Sequence, residues 1–219
     1  MKICFITKRE KPGVDDAIRL AKKLSQNIDI YYGNLVTPFP SKIVEKQYDI
    51  IISYISPWVV PKKVLKRTKR FNINFHPGPP EYPGTGCFNF ALFDSSEEFG
   101  VTAHLMDSKV DTGKIIGVKR FPIDEKETVE SLSIKTYSAL FSLYSYIIDY
   151  ILSNNSLPEC SEIWKRKPYT RRELESLATI KTGMSSKEIE KRIQATYYPG
   201  KPAPFIEIGK YRFEYNPDR

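Results

Sequence analysis

Residues 48–54 (YDIIISY) constrain the fold more than any other stretch of the chain. Apolar residues follow one another here, without the alternation of apolar and polar residues that marks a strand with one face in water. Protein must therefore cover both faces of this strand, as happens in parallel sheets that carry helices on each side. The segment predicts an α/β protein.

Short strands and helices are predicted on both sides of this segment. Residues 15–24 carry apolar side chains at helical spacing, with two aspartates at the amino end, so they predict a helix. Further strand candidates are the β-rich runs at residues 3–7, 28–32, 71–75, 101–106 and 115–121. The alternation predicts a Rossmann-like, mostly parallel sheet with flanking helices.

The longest helical pattern covers residues 128–152 and ends in a polar cluster, residues 153–158, that includes Pro158. This cluster is the best domain boundary in the sequence. We predict a catalytic domain over residues 1–155 and a C-terminal extension over residues 156–219. The extension is expected to contain a basic loop, a short helix and a β-hairpin.

The charge balance favours an anionic partner. Lys and Arg number 34 and Asp and Glu number 26, for a net charge of +8. Nucleic acid, an acidic membrane face and a phosphorylated small molecule all suit that charge. With 41% hydrophobic and 27% charged residues, the composition excludes a disordered or fibrous protein.

The three cysteines lack CxxC spacing, which argues against a disulfide framework and against a zinc site. No stretch reaches the roughly 18 apolar residues of a membrane-spanning helix, and the first residues do not form a signal peptide. We therefore expect a cytoplasmic protein with no metal and no membrane partner.

His76 is one of two histidines in the chain, and it directly follows an apolar strand. In an open parallel sheet, ligands bind beyond the carboxyl ends of the strands. Asn74 and His76 are two residues apart, so in an extended segment their side chains share one face. An imidazole base and an amide donor to an oxyanion form a workable pair for acyl transfer.

A second segment with chemical potential runs from Gly100 to Ile116 and places Asp107 and Asp111 in a loop between two strands. A carboxylate held against His76 would orient its ring and stabilise its charged form. His104 stands within a strand among apolar residues, so we interpret it as a packing residue.

These residues resemble the folate-dependent formyltransferases, which move a formyl group from 10-formyltetrahydrofolate to an amine. The resemblance covers roughly residues 1–150, and the combined spacing of its motifs is highly specific. Those motifs are Asn74-Phe75-His76, then Gly100-Val101-Thr102 with His104 and Met106-Asp107, and finally residues 111–116 (DTGKII). The resemblance implies a catalytic trio of Asn74, His76 and Asp111.

Within that family, residues 76–86 are similar to the corresponding loop of small nucleotide-sugar N-formyltransferases that act on dTDP-4-amino-4,6-dideoxyglucose. The resemblance implies a nucleotide-linked amino sugar as acceptor, a role in lipopolysaccharide O-antigen synthesis, and a homodimer. Nucleic acid is not expected as a partner.

The resemblance also implies binding residues. It places the folate against Trp58, Val59, Val60, Met106 and Asp107. From the loop after His76 we expect substrate contacts by Pro79, Tyr82 and Gly84. Arginines of longer relatives are absent from this loop, so we assign the diphosphate and base to a basic cluster with an aromatic neighbour, namely Trp164, Lys165, Arg166 and Lys167.

Two alternatives remain open. One is a formyltransferase that acts on another amine, such as a UDP-linked amino sugar, a 3-amino sugar or initiator methionyl-tRNA. The other is a nucleic-acid-binding protein that uses the basic run at residues 62–70, which we interpret as solvated surface.

Overall fold

The computed structural model describes residues 1–218 and has a central sheet of six strands in the order β2-β1-β3-β4-β5-β6. The first four strands are parallel to their neighbours, and β5 is antiparallel to both β4 and β6. Five strands therefore run in one direction, which confirms the predicted mostly parallel sheet. The strands are β1 (Ile3–Lys8), β2 (Ile28–Gly33), β3 (Ile50–Tyr54), β4 (Phe71–His76), β5 (Glu98–Leu105) and β6 (Ile115–Pro122).

Helices cover both faces of this sheet, and a second, three-stranded sheet follows in the C-terminal part. The helices are α1 (Val14–Leu24), α2 (Ser41–Glu45), α3 (Lys62–Leu65), α4 (Cys87–Phe93), α5 (Val129–Asn154), α6 (Arg171–Ala178) and α7 (Ser186–Thr196). The second sheet contains β7 (Thr179–Ile180), β8 (Phe205–Ile208) and β9 (Tyr211–Glu214). The predicted hairpin is β8 and β9, joined at Gly209 with φ 61°.

The apolar run in β3 is buried on both faces, as expected. Ile50, Ile52 and Tyr54 pack under α1 and α5, where the Tyr144 hydroxyl also donates to the Ala17 carbonyl at 2.9 Å. Ile51 packs on the opposite face with residues of α2 and α3. Two apolar layers thus hold the strand in the middle of the domain.

Helix α5 begins at a capping box, in which Thr128 and Ser131 bond to each other's backbone N–H. It ends at Asn155, whose left-handed conformation closes the last turn. The helix is longer at its carboxyl end than the sequence pattern predicted, so the polar cluster begins inside it.

The C-terminal segment 164–169 returns to the part of the chain that forms the six-stranded sheet and lies along residues 80–85. The Lys165 N–H donates to the Pro80 carbonyl at 3.0 Å, and the Tyr169 N–H donates to the Pro83 carbonyl at 2.9 Å. The Thr85 N–H donates back to the Tyr169 carbonyl at 3.0 Å. The end of the predicted basic loop, from Arg171 onward, is helical, because Thr170 and Glu173 form a capping box that starts α6.

Across residues 1–218 there is no helix that combines the length and the apolar character needed to cross a bilayer.

Candidate active site

Asn74 and His76 lie at the carboxyl end of β4 with their side chains on one face of the sheet. Ile73 and Phe75 alternate with them and belong to the core under α1 and α5. Asn74 is opposite His104 of the antiparallel neighbour β5. The strand pairing therefore brings an amide and two imidazoles to the same part of this face.

Asp111 joins these side chains from the loop between β5 and β6. One of its oxygens lies 3.2 Å from His76 Nδ1 and accepts from the Gly84 N–H at 2.8 Å. Its other oxygen lies 3.2 Å from His104 Nε2 and 3.4 Å from the Asn74 amide nitrogen. We call Asn74, His76, His104 and Asp111 the carboxylate network.

Burial by itself raises the pKa of Asp111, because a charged group loses water there. The charge of His76, the hydrogen bond and charge of His104, and the Gly84 N–H outweigh that effect and lower the pKa to about 2. Asp111 is therefore an ionised carboxylate in a buried position, held by partners on both oxygens.

Both ring nitrogens of His76 face oxygen acceptors. Nδ1 faces Asp111, and Nε2 lies 3.0 Å from the Tyr82 carbonyl. Only a doubly protonated ring donates to both, so this arrangement matches His76 after it has taken up a proton. A neutral His76 can accept a proton at Nε2 only when the incoming donor takes the place of the Tyr82 carbonyl.

The interpretation of His104 as a packing residue is incomplete. His104 is buried, but its Nε2 lies 2.9 Å from the Asn74 amide nitrogen, and its Nδ1 lies 2.8 Å from the Leu105 carbonyl. That carbonyl only accepts, so Nδ1 carries a proton and the ring orientation is fixed. His104 therefore fixes the positions of the Asn74 amide and the Asp111 carboxylate relative to each other. Its apolar neighbours in sequence did not indicate this role.

Trp164 covers the two histidines of the network. Its indole is edge-on to His76 and His104, with ring centroids at 6.0 and 5.1 Å. Its Nε1 donates to the Gly113 carbonyl at 2.8 Å, next to the Asp111 loop. Because both its ring and its donor are used inside the protein, the structure does not offer Trp164 for stacking on a base.

A cavity of about 1110 Å³ opens beside the network and has Asn74, His76, His104 and Asp111 on its wall. This volume lies slightly above the usual range for ligand sites, about 300 to 1,000 Å³. The structure brings all five predicted cofactor residues, Trp58, Val59, Val60, Met106 and Asp107, to this cavity. Trp58 is fixed there by its Nε1, which donates to the Thr37 carbonyl at 2.8 Å.

The predicted substrate residues are divided by the structure. Gly84 lines the cavity, whereas Pro79 and Tyr82 do not. Tyr82 is buried, and its hydroxyl bonds to Ser96 at 2.6 Å and to Asp94 at 3.1 Å. Tyr82 contributes to the site through its backbone carbonyl, which lies next to His76 Nε2.

The assignment of Lys165, Arg166 and Lys167 to the diphosphate is not supported, since none of them lines the cavity. Arg166 lies over the Tyr169 ring at 3.1 Å and pairs with Glu173 at 3.6 Å. Proximity to Trp164 in sequence was the reason for the assignment, but Trp164 itself does not line the cavity.

Other cations line the cavity and were missed in the sequence. Lys8 ends β1 and Lys11 lies in the loop after it, Arg171 begins α6, and Lys201 precedes β8. We call these four residues the cation cluster. No local motif joins them, because they come from three distant parts of the chain.

An amide donor, an imidazole and a buried carboxylate beside a cavity are the groups that acyl transfer requires, and they stand at the ligand-binding edge of an α/β sheet. Fold and site thus define a candidate group-transfer enzyme. Residues 39–146, just under half of the chain, match the family model described as formyl transferase. Over this stretch, which includes Asn74, His76 and Asp111, the chain is similar to the formyl transferase family.

Among curated proteins, the chain is similar to GDP-perosamine N-formyltransferase of Brucella melitensis, with 28% identity over 162 residues. The match covers 73% of this chain and 61% of that protein, so the chain matches about three fifths of the length of this relative.

Two solved structures share the fold over almost the whole chain. A sugar N-formyltransferase from a Shewanella species has a TM-score of 0.77 at 17% identity, covering 98% of this chain and 96% of that one. An N-formyltransferase from Helicobacter canadensis, in complex with folinic acid and dTDP-3-aminofucose, has a TM-score of 0.74 at 19% identity, covering 96% and 85%.

Proposed function

We propose that this protein is a sugar N-formyltransferase that transfers the formyl group of 10-formyltetrahydrofolate to the amino group of a nucleotide-linked amino sugar. The observation that carries the proposal is the carboxylate network, in which Asn74 and His76 reach a cavity large enough for two ligands. The names of the related proteins, GDP-perosamine N-formyltransferase and sugar N-formyltransferase, support it.

The predicted cofactor wall presents the apolar surface that suits the faces of a flat ring system. Trp58, Val60 and Met106 pack together with the core residues under α2 and α3 and expose part of their surface to the cavity. A folate fits such a wall, because the ring gains apolar contact without burying an unpaired charge. When bound, 10-formyltetrahydrofolate supplies the formyl group.

Asn74 is proposed to donate a hydrogen bond to the formyl oxygen as that oxygen gains negative charge. Its amide nitrogen carries two N–H donors, which face His104 Nε2 at 2.9 Å and the Asp111 carboxylate at 3.4 Å, so one of them would exchange its partner for the formyl oxygen. The longer contact, to Asp111, is the weaker of the two and is the one we expect to be exchanged.

His76 is proposed to take the proton from the attacking amine as the new bond to the formyl carbon forms. It would return that proton to the folate nitrogen whose bond to the formyl carbon breaks, so that tetrahydrofolate leaves as a neutral amine. The amine would occupy the place of the Tyr82 carbonyl at Nε2, and the carbonyl would accept from the protonated ring after the transfer. Asp111 balances the charge that forms on His76 and fixes its orientation through Nδ1.

The acceptor is proposed to be dTDP-4-amino-4,6-dideoxyglucose, on the resemblance of the loop at residues 76–86. The related proteins act on or bind several nucleotide sugars, since one is named for GDP-perosamine and another is in complex with dTDP-3-aminofucose. The acceptor test must therefore vary both the nucleotide and the position of the amine.

The test is release of tetrahydrofolate by the purified protein with 10-formyltetrahydrofolate and a panel of dTDP-, UDP- and GDP-linked 3-amino and 4-amino sugars. We expect turnover with a dTDP-linked 4-amino sugar and a loss of at least about a hundredfold in the His76→Asn variant. Circular dichroism and folate binding of that variant control for its fold.

Turnover that is unchanged in His76→Asn would contradict the mechanism. Folate binding without transfer to any sugar of the panel would contradict the proposed acceptor class and point to another amine.

A further inference from the structure

We infer that the cation cluster of Lys8, Lys11, Arg171 and Lys201 is the site for the diphosphate of the nucleotide sugar. This inference rests on the proposed function, because it assigns one part of the acceptor to one part of the same cavity.

The four cations converge on the cavity from three segments of the chain. Lys8 is the last residue of β1 and Lys11 follows in the loop to α1, at the sheet edge where ligands of such folds bind. Arg171 is the first residue of α6, and Lys201 lies in the loop before β8. Segments so far apart in sequence must be placed by the tertiary structure.

None of the four is neutralised by the protein. Within residues 1–218, every ion pair at 4.0 Å or less involves other residues. Arg166, by contrast, pairs with Glu173, and Arg120 pairs with Glu81 and Glu162. Cations that line a cavity without acidic partners leave their charge available to an anionic ligand.

The cluster is also electrostatically unfavourable without a ligand. Burial lowers the pKa of Lys8, and the charges of Lys11 and Arg171 lower it further. Burial likewise lowers the pKa of Lys11, with a further contribution from Lys201. A bound dianion would reverse this, since opposite charge stabilises each protonated amine.

Lys11 of the cluster lies toward the face of the sheet that carries α1 and α5. Its Nζ is 5.6 Å from the ring of Tyr137 on α5, and Tyr137 packs against the core under α1 and α5. Trp58 and Val60 of the cofactor wall belong to the core on the other face. The network at the end of β4 lines the same cavity, so donor and acceptor would meet there.

Aromatic rings stand in the same part of the cavity. Tyr137 and Tyr198 both line it, together with Phe205, which is covered by the guanidinium of Arg212 at 3.5 Å. A diphosphate on the cations would bring its base within reach of such surfaces, on which bases stack.

The test measures binding of dTDP by isothermal titration calorimetry to wild type, to the Lys8→Gln/Lys11→Gln double variant and to Arg171→Gln. The matched control is Arg172→Gln, since Arg172 is also exposed on α6 but does not line the cavity. Melting temperatures of all variants monitor the fold.

We expect the double variant to bind dTDP at least about tenfold more weakly and Arg171→Gln about fivefold more weakly, as loss of charge-assisted contacts requires. Arg172→Gln is expected to bind like wild type. In wild type, dTMP should bind more weakly than dTDP, and in the double variant this preference should largely disappear.

Equal binding of dTDP by wild type and by both cavity variants would overturn the inference. So would the absence of binding of dTDP, UDP and GDP to wild type at millimolar concentration.

Formyl-transfer kinetics and binding of dTDP, measured on the same proteins, separate this inference from the proposed function. Formyl transfer to a nucleotide sugar that persists with an unchanged KM in the cluster variants refutes the diphosphate site alone. Binding of dTDP that depends on the cluster, without transfer to any amino sugar, refutes the function alone.

Discussion

The carboxylate network and the cation cluster line the same cavity but differ in whether the protein balances their charges. In the network, both oxygens of Asp111 have partners, and two imidazoles and a backbone N–H surround them. In the cluster, each of the four cations lies without an acidic partner at 4.0 Å or less within residues 1–218. The protein alone supplies the partners of the network, whereas the proposed diphosphate would supply those of the cluster.

This difference indicates a division between chemistry and binding. Groups that must react in one geometry are held by several partners, so that little reorganisation accompanies the reaction. Groups that must attract and release a ligand keep their charge free, and the ligand supplies the missing partner. Removing a charge should therefore have opposite consequences in the two regions.

The largest expected effect comes from Asp111→Asn. Without its carboxylate, His76 loses the partner that balances its charge, and we expect turnover to fall about a thousandfold. Steady-state kinetics measure the fall, and binding of dTDP should change less than about twofold, since the cluster is a separate site. Loss of both properties together would contradict the division.

The next effect is structural. Gly84 has φ +87°, and a Cβ there would overlap the Tyr169 carbonyl oxygen, a backbone atom that cannot move cheaply. We expect Gly84→Ala to lower the free energy of unfolding by about 3 kcal/mol or more, from strain and overlap together. Urea unfolding measures the change.

The matched control is Gly200→Ala. Gly200 has φ +72°, and, its two chain neighbours aside, nothing in residues 1–218 comes within 4 Å of the place that an alanine methyl would take. Only backbone strain of about 1 kcal/mol is therefore expected. If Gly84→Ala and Gly200→Ala lowered the free energy of unfolding equally, contact between the loop at residues 80–85 and Tyr169 would not support the network.

Acid should affect the network at a defined pH. The pKa of Asp111 is about 2 in the folded protein, below about 3.9 in an unfolded chain. The ionised carboxylate therefore contributes stability at neutral pH, and this contribution is lost as the pH falls from about 4 to about 2.

The contribution is about 2 kcal/mol. Between pH 5 and pH 2, the free energy of unfolding should therefore fall by about 2 kcal/mol less in Asp111→Asn than in wild type. Parallel curves for the two proteins would show that the network does not favour the charged carboxylate.

The Trp164→Phe variant tests what Trp164, which covers the two histidines, contributes to the network. The smaller ring retains part of the contact with His76 and His104 but loses the hydrogen bond to the Gly113 carbonyl. We expect a loss of about 1 kcal/mol in unfolding free energy and a reduction in kcat larger than any change in KM for the sugar. An increase in KM alone would instead indicate that Trp164 contacts the acceptor.

The smallest effect has the opposite sign. Lys8→Gln should leave the ligand-free protein as stable as wild type or stabilise it by a few tenths of a kcal/mol, because it relieves repulsion that solvent partly screens. Thermal unfolding without dTDP measures the stability of the ligand-free protein, and thermal unfolding with dTDP measures how much the ligand stabilises it. A clear destabilisation of the ligand-free variant would show that Lys8 supports the fold itself.

The sheet and the network were predictable to different degrees. The apolar run in β3 indicated helices on both faces, and alternation in β4 placed Asn74 and His76 on one face, because both features depend on local sequence alone. The position of His104 depends on the pairing of β4 with β5, and strand register is not visible in a single sequence.

The cation cluster was not predictable, because Arg171 and Lys201 reach Lys8 only through the packing of the C-terminal part. Lys165 and Arg166 were favoured instead, since adjacency in sequence is the only proximity that a sequence shows. Helix α4 was also missed, because its short apolar run has no clear period. Helix α6 carried a usable signal, the capping pair Thr170 and Glu173.

The return of residues 164–169 to the loop at 80–85 has a consequence for biosynthesis. A ribosome completes the sheet, with Asn74, His76 and Asp111, long before it makes Trp164 and Lys201. The cover of the histidines and the far wall of the cavity are therefore the last parts that the emerging chain can assemble. With the proposed diphosphate site, binding of a sugar nucleotide would report that synthesis has passed the C-terminal segments. A prematurely terminated chain would have the network without Arg171 and Lys201.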